Sequence, residues 1–467
     1  MNRLRTIAVN LCRFLLAVTF VLSGFVKAVD PMGTAYKIGD YLEAMALREY
    51  VPSVLEVTVS VLLSALEFGL GVCLLFAIRR RLASKLTLLL MVALTALTLW
   101  VAVADPVTDC GCFGDAVKLT NWQTFWKNVV LLVAAGAVAM RPALMARMVS
   151  ESNQWIVVNY AAVFIFAVSG YSLYDRPLFD FRPYHTGADI RKGMEIPEGA
   201  EQPKFATTFV LEKDGERKTF TLDDYPDSTW TFIDSKTVKV SEGYVPPITD
   251  FSIVRTDDGE DITQEVLDRK GYTFLLTAPH LETADDSRLD LINLIYEYAE
   301  EQGVPFYCLT ASSEKGIRHW RESTGAEYPF FNTDEITLKT MIRSNPGLLL
   351  LKDGVVYRKW SCNMLPSEEM LQGDINQAEI GTRETDATPE KIAGIISWFV
   401  LPLVLLTLAD RLWAWTKWFR KRRSNKIYQH LYQRNLNKSN NEKENRSRQL
   451  EDEPEPARGH RPGKRTE

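Results

Sequence analysis

Residues 54–78 read VLEVTVSVLLSALEFGLGVCLLFAI, a continuous stretch dominated by apolar side chains. A helix of about 20 apolar residues is long enough to cross the hydrocarbon core of a bilayer. This stretch therefore predicts a membrane-spanning helix. The chain has five further stretches of this kind, which lie near residues 7–27, 85–104, 124–141, 155–174 and 392–412.

Two of these predicted spans need comment. The first, 7–27, has the position of a secretory signal peptide, but Arg13 interrupts its apolar run and no cleavage site of small residues follows. We interpret it as an uncleaved anchor. The last span contains Pro402, which is expected to bend it. Six helices are therefore expected to cross the membrane.

Charge is strongly segregated along the 467 residues, although the whole chain carries only −5. Residues 1–174 carry a net +4, residues 175–390 a net −18 and residues 417–467 a net +8. A single soluble globule does not separate its charges in this way. The apolar fraction of 46% also excludes a wholly disordered chain, and collagen-like and coiled-coil repeats are absent from the sequence.

Basic residues at the ends of the predicted spans indicate the orientation of the chain. Lys and Arg concentrate on the cytoplasmic side of membrane proteins. With six spans, four basic clusters fall on one side: Arg3 with Arg5, Arg79 to Arg81 with Lys85, Arg141 with Arg147, and Arg420 to Arg423. We therefore predict a multi-pass protein of the plasma (inner) membrane with both termini in the cytoplasm. The loops 28–53 and 105–123 and the acidic residues 175–390 are then extracytoplasmic.

Glu67 lies near the middle of the second predicted span, where an ionisable side chain is a functional candidate because charge is costly in hydrocarbon. One interpretation is a protonated carboxyl bonded to Ser or Thr of a neighbouring helix, such as Thr95 or Thr98. The other is a role in handling a proton or a ligand. Lys27, at the outer edge of the first span, is expected to extend to the interface.

Cys110 and Cys112 flank Gly111 in a short outer loop. Disulfides form outside the cytoplasm, and Gly111 and Gly114 permit the tight turns that such a pair needs. A ring this small should be strained, and strained disulfides exchange readily. Redox cycling, a static disulfide or free-thiol pair, and a soft-metal site are the three interpretations. The metal site lacks nearby His or Met partners. Cys12 and Cys73 are expected to be packing residues.

Three sequence elements resemble those of the DoxX-like membrane proteins, and most closely the MauE methylamine-utilisation branch. They are SGFVKAVDP at 23–31, EFGLG at 67–71 and CGCFG at 110–114. The resemblance covers about residues 1–145 and implies a four-helix transmembrane bundle. It also implies a role in thiol–disulfide traffic outside the membrane, with an extracytoplasmic thiol protein as partner or client. No cofactor motif is evident, and a quinone is the candidate electron acceptor.

Two further domains are predicted between the fifth span and the sixth. Residues 175–244 read as a small β-rich module with strands near 205–212, 218–222 and 230–233. Residues 245–376 alternate between strand and helix and resemble the thioredoxin-like fold, and Pro346 suits a cis-proline turn. The predicted fold class is a multi-domain membrane protein, which combines an α-helical transmembrane bundle with an extracytoplasmic α/β thioredoxin-like domain.

The thioredoxin-like domain departs from the pattern of its family at the redox motif. Where Cys-x-x-Cys is expected, residues 278–283 read APHLET. Cys308 and Cys362 are predicted to lie about three strand spacings apart, beyond disulfide reach, with Cys308 on an edge strand. His280 is expected to be a surface histidine. We predict that this domain is a binding module.

Residues 417–467 are basic and poor in apolar side chains, which predicts a disordered cytoplasmic tail near anionic lipid headgroups. Nucleic-acid binding is not expected, because no binding fold accompanies the charge. The leading functional hypothesis is a thiol–disulfide oxidoreductase that uses Cys110 and Cys112, with Glu67 as the candidate for proton handling. The alternative is a non-catalytic, membrane-anchored assembly or scaffolding factor. A small-solute carrier is a weaker third, because no internal repeat is present.

Overall fold

A computed structural model of the chain describes residues 2–107, 111, 114, 117, 119–201, 204–213, 216–221, 231–241, 243–384 and 388–451. The predicted pair Cys110 and Cys112 lies outside these described residues. The amino-terminal part is helical, and its helices are α1 (Asn2–Val29), α2 (Pro31–Ala44), α3 (Ser53–Phe76), α4 (Arg80–Ala104), α5 (Asn121–Met140) and α6 (Gln154–Tyr174).

Six helices of the described chain are long and apolar enough to cross a membrane. They are α1, α3, α4, α5, α6 and a long carboxy-terminal helix that spans Thr388–Glu451. The six predicted spans are therefore confirmed as helices of suitable length and composition. The carboxy-terminal helix runs unbroken through Pro402.

Hydrogen bonds join helix ends and loops at one end of the bundle. There the Asn10 amide donates to the carbonyl of Leu144 at 3.0 Å, and Arg80 donates to the carbonyl of Met145 at 2.8 Å. The Asp410 carboxylate accepts the Ser150 N–H at 2.9 Å at this same end. The basic clusters predicted to share one side of the membrane thus lie at or next to the same end of the bundle.

The segment between the fifth and sixth spans contains two separate sheets. Its elements are α7 (Ile190–Met194), β1 (Lys204–Lys213), β2 (Glu216–Thr221), β3 (Thr231–Ser241), β4 (Val254–Arg255), α8 (Thr263–Asp268), β5 (Tyr272–Ala278), α9 (Leu289–Glu301), β6 (Phe306–Thr310), α10 (Glu314–Thr324), β7 (Phe330–Asn332), α11 (Glu335–Met341), β8 (Gly347–Lys352) and β9 (Val355–Ser361). The first sheet is antiparallel in the order β2-β1-β3.

The second sheet is mixed, in the order β4-β7-β6-β5-β8-β9. Its parallel part is β5, β6 and β7, and the other pairings are antiparallel. Every residue of β5 is buried, because apolar clusters cover both faces of the sheet. The Asn345–Pro346 peptide bond is cis, as predicted. We call the domain built on this sheet the outer domain.

The structure divides the segment differently from the predicted boundary at 244/245. Tyr184 and Ile190 are buried against Phe251 and Ile253 in the core of the outer domain. The sheet β1–β3 is an insertion, since its two ends are joined where the Tyr244 N–H donates to the carbonyl of Glu201 at 2.7 Å. Short-range sequence patterns could not show this, because the contacts join residues about 60 positions apart.

We number the carboxy-terminal helix α12 (Thr388–Glu451). It continues past residue 417, where the sequence predicted a disordered tail. The side chains described between 417 and 443 are exposed. Neither Gly nor Pro occurs from residue 403 to 453, and Lys, Arg, Gln, Glu and Leu favour helix there. The helix propensity of these residues thus favours a helix in a segment whose polar, basic composition had predicted disorder.

Candidate functional site

Two glycines allow the backbones of α1 and α3 to touch. A Cβ atom at Gly24 would lie 2.5 Å from the backbone nitrogen of Phe68, and one at Gly71 would lie 2.7 Å from that of Val21. Small residues permit this close approach between membrane helices. The contact brings the polar residues of the two helices within hydrogen-bond distance.

Replacing Gly24 by alanine is expected to destabilise the bundle by about 1–3 kcal/mol, because the new methyl group would meet backbone that cannot move independently. Gly69→Ala is the matched control on α3, since a Cβ there meets nothing within 4 Å. Thermal unfolding of the purified protein measures both effects. Equal melting temperatures for the two variants would contradict the close contact.

Ser23, Lys27 and Glu67 form a buried polar triad between α1 and α3. The Lys27 ammonium donates to the two carboxylate oxygens of Glu67 at 2.7 and 2.6 Å and to Ser23 Oγ at 3.0 Å. Ser23 Oγ in turn donates to Glu67 Oε2 at 2.8 Å. Lys27 is 6% exposed and Glu67 is 2% exposed. We refer to these three residues as the triad.

The triad corrects two predictions. Thr95 and Thr98 do not contact Glu67, because each donates its hydroxyl to a carbonyl of its own helix, and Thr98 also accepts from Asn128. Lys27 does not extend to the interface but pairs with Glu67. Ser23 and Lys27 lie one helical turn apart on α1, so the crossing at Gly24 places both beside Glu67.

Two described glycines of the candidate loop lie against α1 and α2. The Gly114 N–H donates to the carbonyl of Gly111 at 3.0 Å, and both glycines have positive φ, as a tight turn there requires. A Cβ at Gly111 would lie 3.0 Å from Lys37 Cγ of α2, and one at Gly114 would lie 3.4 Å from Val26 Cγ1 of α1. The segments 23–31, 67–71 and 110–114 therefore converge, judged by their described residues.

The outer domain is joined to the α1–α2 junction by an ion pair. Arg343 Nη2 and Nε donate to Asp30 Oδ2 at 2.8 and 3.0 Å. Asp30 also caps α2 by accepting the Gly33 N–H at 2.9 Å. Lys339 and Arg343 lie over the ring of Tyr36, 4.9 and 5.4 Å from its centre. We call the Asp30–Arg343 pair the latch.

Electrostatics favour the ionised form of Asp30. Burial alone would raise the pKa of this carboxyl, but the charges of Arg343 and Arg182 outweigh burial and hold the pKa below its ordinary value. Burial raises the pKa of the neighbouring Tyr36 hydroxyl. The latch is therefore a charged contact at neutral pH.

The latch belongs to the edge of the outer domain that carries the cis peptide bond. Arg343 precedes Asn345–Pro346 by two residues, and the Asn345 amide donates to the carbonyl of His280 at 2.8 Å. His280 Nε2 lies 2.9 Å from Glu335 Oε1, and the His280 side chain is 42% exposed. His280 is thus a partly exposed residue that contacts Glu335 at this edge of the outer domain.

A second charged network holds the segment that leaves α6. The Lys359 ammonium donates to Asp180 Oδ2 at 2.7 Å, and Arg182 Nε donates to Asp180 Oδ1 at 2.6 Å. Although burial opposes ionisation, the two cations hold the pKa of Asp180 well below its ordinary value. Sequence reasoning missed this network and the latch. Of the residues in the network and the latch, only Asp30 lies in a sequence element quoted above, SGFVKAVDP at 23–31.

The two cysteines of the outer domain, Cys308 and Cys362, are unsuited to exchange. Cys308 and Cys362 are free, as predicted, but Cys308 lies in the interior strand β6 rather than on an edge strand. Burial raises the pKa of Cys362 to about 11 and raises that of Cys308 as well, which suppresses the reactive thiolate. Among the described residues, no group of His, Cys, Asp or Glu could hold a metal ion.

The fold defines a multi-pass membrane protein with a large α/β domain inserted before its last span. Comparison with known families gives two matches. Residues 5–141 match the family described as methylamine utilisation protein MauE. Residues 205–242, which contain the inserted sheet, match a domain of unknown function, DUF8463. No curated protein matches the chain. The triad, the latch and the turn at Gly111 lie in or against the part similar to MauE.

Proposed function

We propose that this protein exchanges thiols and disulfides on the extracytoplasmic side of the membrane, with Cys110 and Cys112 as the redox pair. The observation that carries the proposal is the convergence at the α1–α2 junction. The turn from Gly111 to Gly114 lies against both helices. The triad lies in the α1–α3 contact, with Lys27 directly after Val26, and the latch lies at the end of α1.

The same proposal assigns the outer domain a thioredoxin-like fold and a binding role. Its central strands β6-β5-β8-β9 and the cis bond before Pro346 support that fold. Residues 278–283 contain no cysteine, so this domain cannot relay electrons through a dithiol. It would hold a client near the turn, because the latch joins its cis-proline edge to α2.

The exchange conserves electrons and protons. A client dithiol loses two electrons and two protons as its own disulfide forms. The Cys110–Cys112 disulfide gains two electrons and two protons and becomes a dithiol. An acceptor of two electrons and two protons then restores the disulfide. We propose a membrane quinone as that acceptor, because a quinone takes up two electrons and two protons when it is reduced.

The proposal requires the cysteine loop to face an oxidising compartment. We propose cytoplasmic termini and an extracytoplasmic segment 175–390, since the basic clusters gather at one end of the bundle. The latch and the outer domain lie at the opposite end. Added glycosylation sites or membrane-impermeant labels at Tyr50 and Ile336, which are 79% and 75% exposed, should report an external position.

Acid-quenched alkylation tests the redox proposal. The chain is expressed without Cys12, Cys73, Cys308 and Cys362, and the remaining pair is labelled with a mass-adding maleimide in intact membranes. We expect the pair to shift between oxidised and reduced states when cells are treated with oxidant or reductant. Changing Cys110 or Cys112 singly to alanine should trap a mixed disulfide with a client.

A pair that stays in one state and traps no protein would contradict exchange and favour the scaffold alternative. Re-oxidation in membranes with and without quinone identifies the acceptor. The variant with both cysteines changed to serine is the matched control for labelling. Its melting temperature should equal that of the parent, unless the pair is a structural disulfide.

A further inference from the structure

A cavity lies where the outer domain meets the adjoining ends of α6 and α12. Its volume is about 110 Å³, which is more than one water molecule needs and too small for a drug-sized ligand. Tyr171 in the last turn of α6 and Lys391 in the first turn of α12 both line it. Because both helices are long and apolar enough to cross a membrane, the cavity lies at the depth of the lipid headgroups.

The carboxylates at the cavity already have partners. Arg176 donates through both terminal nitrogens to Glu384, at 3.0 and 3.1 Å. Burial alone would raise the pKa of Glu384, but the hydrogen bonds and the charge of Arg176 hold this pKa below its ordinary value. Asp175 accepts the Ser361 hydroxyl at 3.0 Å, and Asp180 accepts from the two cations described above. These carboxylates therefore leave little capacity for a cationic ligand.

The hydrogen-bond donors at the cavity, in contrast, have spare capacity. The Nε–H group of Arg176 is buried and has no hydrogen-bond acceptor in the part of the chain that the structure describes. Asp175 Oδ1 lies 3.6 Å from this nitrogen, beyond hydrogen-bond distance. Lys391 is exposed and lies beside the same cavity, as does the hydroxyl-bearing Thr186. The available groups are thus suited to an anion.

The balance of charge at the cavity also favours an anion. Three carboxylates line the cavity, those of Asp175, Asp180 and Glu384. Two cations line it and two more hold Asp180, and these four are Arg176, Lys391, Lys359 and Arg182. One positive charge is therefore left over when His185 is neutral. A compact anion with several acceptor oxygens, such as a phosphate group, meets both the charge and the spare donors.

We propose that this cavity binds the phosphate group of a phospholipid, with Lys391 and Arg176 as its donors. Free phosphate has the same chemistry, but the position of the cavity favours a lipid as its source. Ile396 and Trp398, one to two turns further along α12 than Lys391, are exposed on the spanning part of that helix and can contact acyl chains. The bound headgroup joins α6, α12 and the outer domain at the membrane surface. This site is independent of the proposed thiol–disulfide exchange.

Lys391→Gln tests the site, because Lys391 is exposed and its loss leaves the ion pairs of the cavity in place. The full chain in dodecyl maltoside is titrated with dioleoylphosphatidylglycerol, and native mass spectrometry measures binding of the first lipid. We expect binding about tenfold weaker than in the parent protein, a typical loss for one hydrogen bond to a charged group. Lys315→Gln, at an exposed position on α10, makes the same change of charge. It is the matched control and should bind like the parent.

A second variant tests the cavity itself rather than surface charge. Thr186→Asp adds a carboxylate to the lining, and it should weaken binding of the same lipid at least tenfold. Dioleoylglycerol, which lacks the phosphate, should not compete for the site. Inorganic phosphate at millimolar concentration should not displace the lipid.

Each contrary result overturns a defined part of the proposal. Parent-like affinity in Lys391→Gln or in Thr186→Asp would overturn lipid binding at this cavity. Dioleoylglycerol that binds as tightly as dioleoylphosphatidylglycerol would show that the acyl chains are recognised and the phosphate is not. Displacement of the lipid by inorganic phosphate would overturn the lipid as the source and assign the cavity to free phosphate.

Discussion

Lys27→Met is expected to destabilise the folded bundle by about 3–5 kcal/mol, the usual cost of removing one partner from a buried ion pair. The cost arises because Glu67 would keep its charge, or take up a proton, in a site that is 2% exposed. Among the described residues, Lys27 is the cation paired with Glu67. Ser23 would remain as a hydrogen-bond donor, but a hydroxyl group does not neutralise a carboxylate.

The free energy of unfolding, measured by titration of the purified protein with a denaturing detergent, tests this expectation. Lys27→Met combined with Glu67→Leu should recover most of the loss, since replacing both charges by apolar groups is often neutral. Lys85→Met is the matched control, because Lys85 is exposed. A loss below about 1 kcal/mol in Lys27→Met would mean that the pair is solvated, as surface pairs are.

Breaking the latch is expected to release the outer domain from the bundle. In Arg343→Ala the Asp30 carboxylate loses its bidentate partner, and we expect a coupling energy of about 2 kcal/mol between the two positions. Asp30→Asn is the partner variant for the double-mutant cycle, because asparagine caps a helix as well as aspartate does. The cycle therefore isolates the ion pair from the cap on α2.

Spin labels at Tyr50 and Ile336, which are both exposed, report the latch directly. The distance between them should be narrowly distributed in the parent protein and broad in Arg343→Ala. Arg318→Ala is the matched control, since its pair with Glu314 is exposed and should contribute little. An unchanged distribution in Arg343→Ala would show that other contacts hold the domain.

The pH dependence of the latch follows from the lowered pKa of Asp30. A carboxyl whose folded pKa is depressed contributes stability at pH values above its unfolded pKa, which is about 4. That contribution is lost as the pH falls through the folded value. The latch should therefore hold unchanged from about pH 5 to pH 8 and weaken only in stronger acid.

Local patterns in the sequence predicted the elements of this fold well. Apolar length located the six spanning helices, because the hydrocarbon thickness sets that length directly. Alternation and turn residues located the strands near 205–212 and 218–222, which correspond to β1 and β2. The cis bond before Pro346 and the tight turn at Gly111 and Gly114 were also predicted correctly. Both depend on the backbone preferences of single residues, which the sequence shows directly.

The partners of those elements were decided by tertiary structure. The sequence singled out Glu67, yet it suggested Thr95 and Thr98 as partners in place of Lys27, because helix crossing sets which faces meet. It gave no sign that Asp30 pairs with Arg343, 313 positions away. The sequence alone thus determined a multi-pass protein and its candidate residues. Their assembly at the α1–α2 junction depended on long-range packing. Gly24 and Gly71 allow the backbones of α1 and α3 to touch, and this contact places Lys27 of α1 in an ion pair with Glu67 of α3.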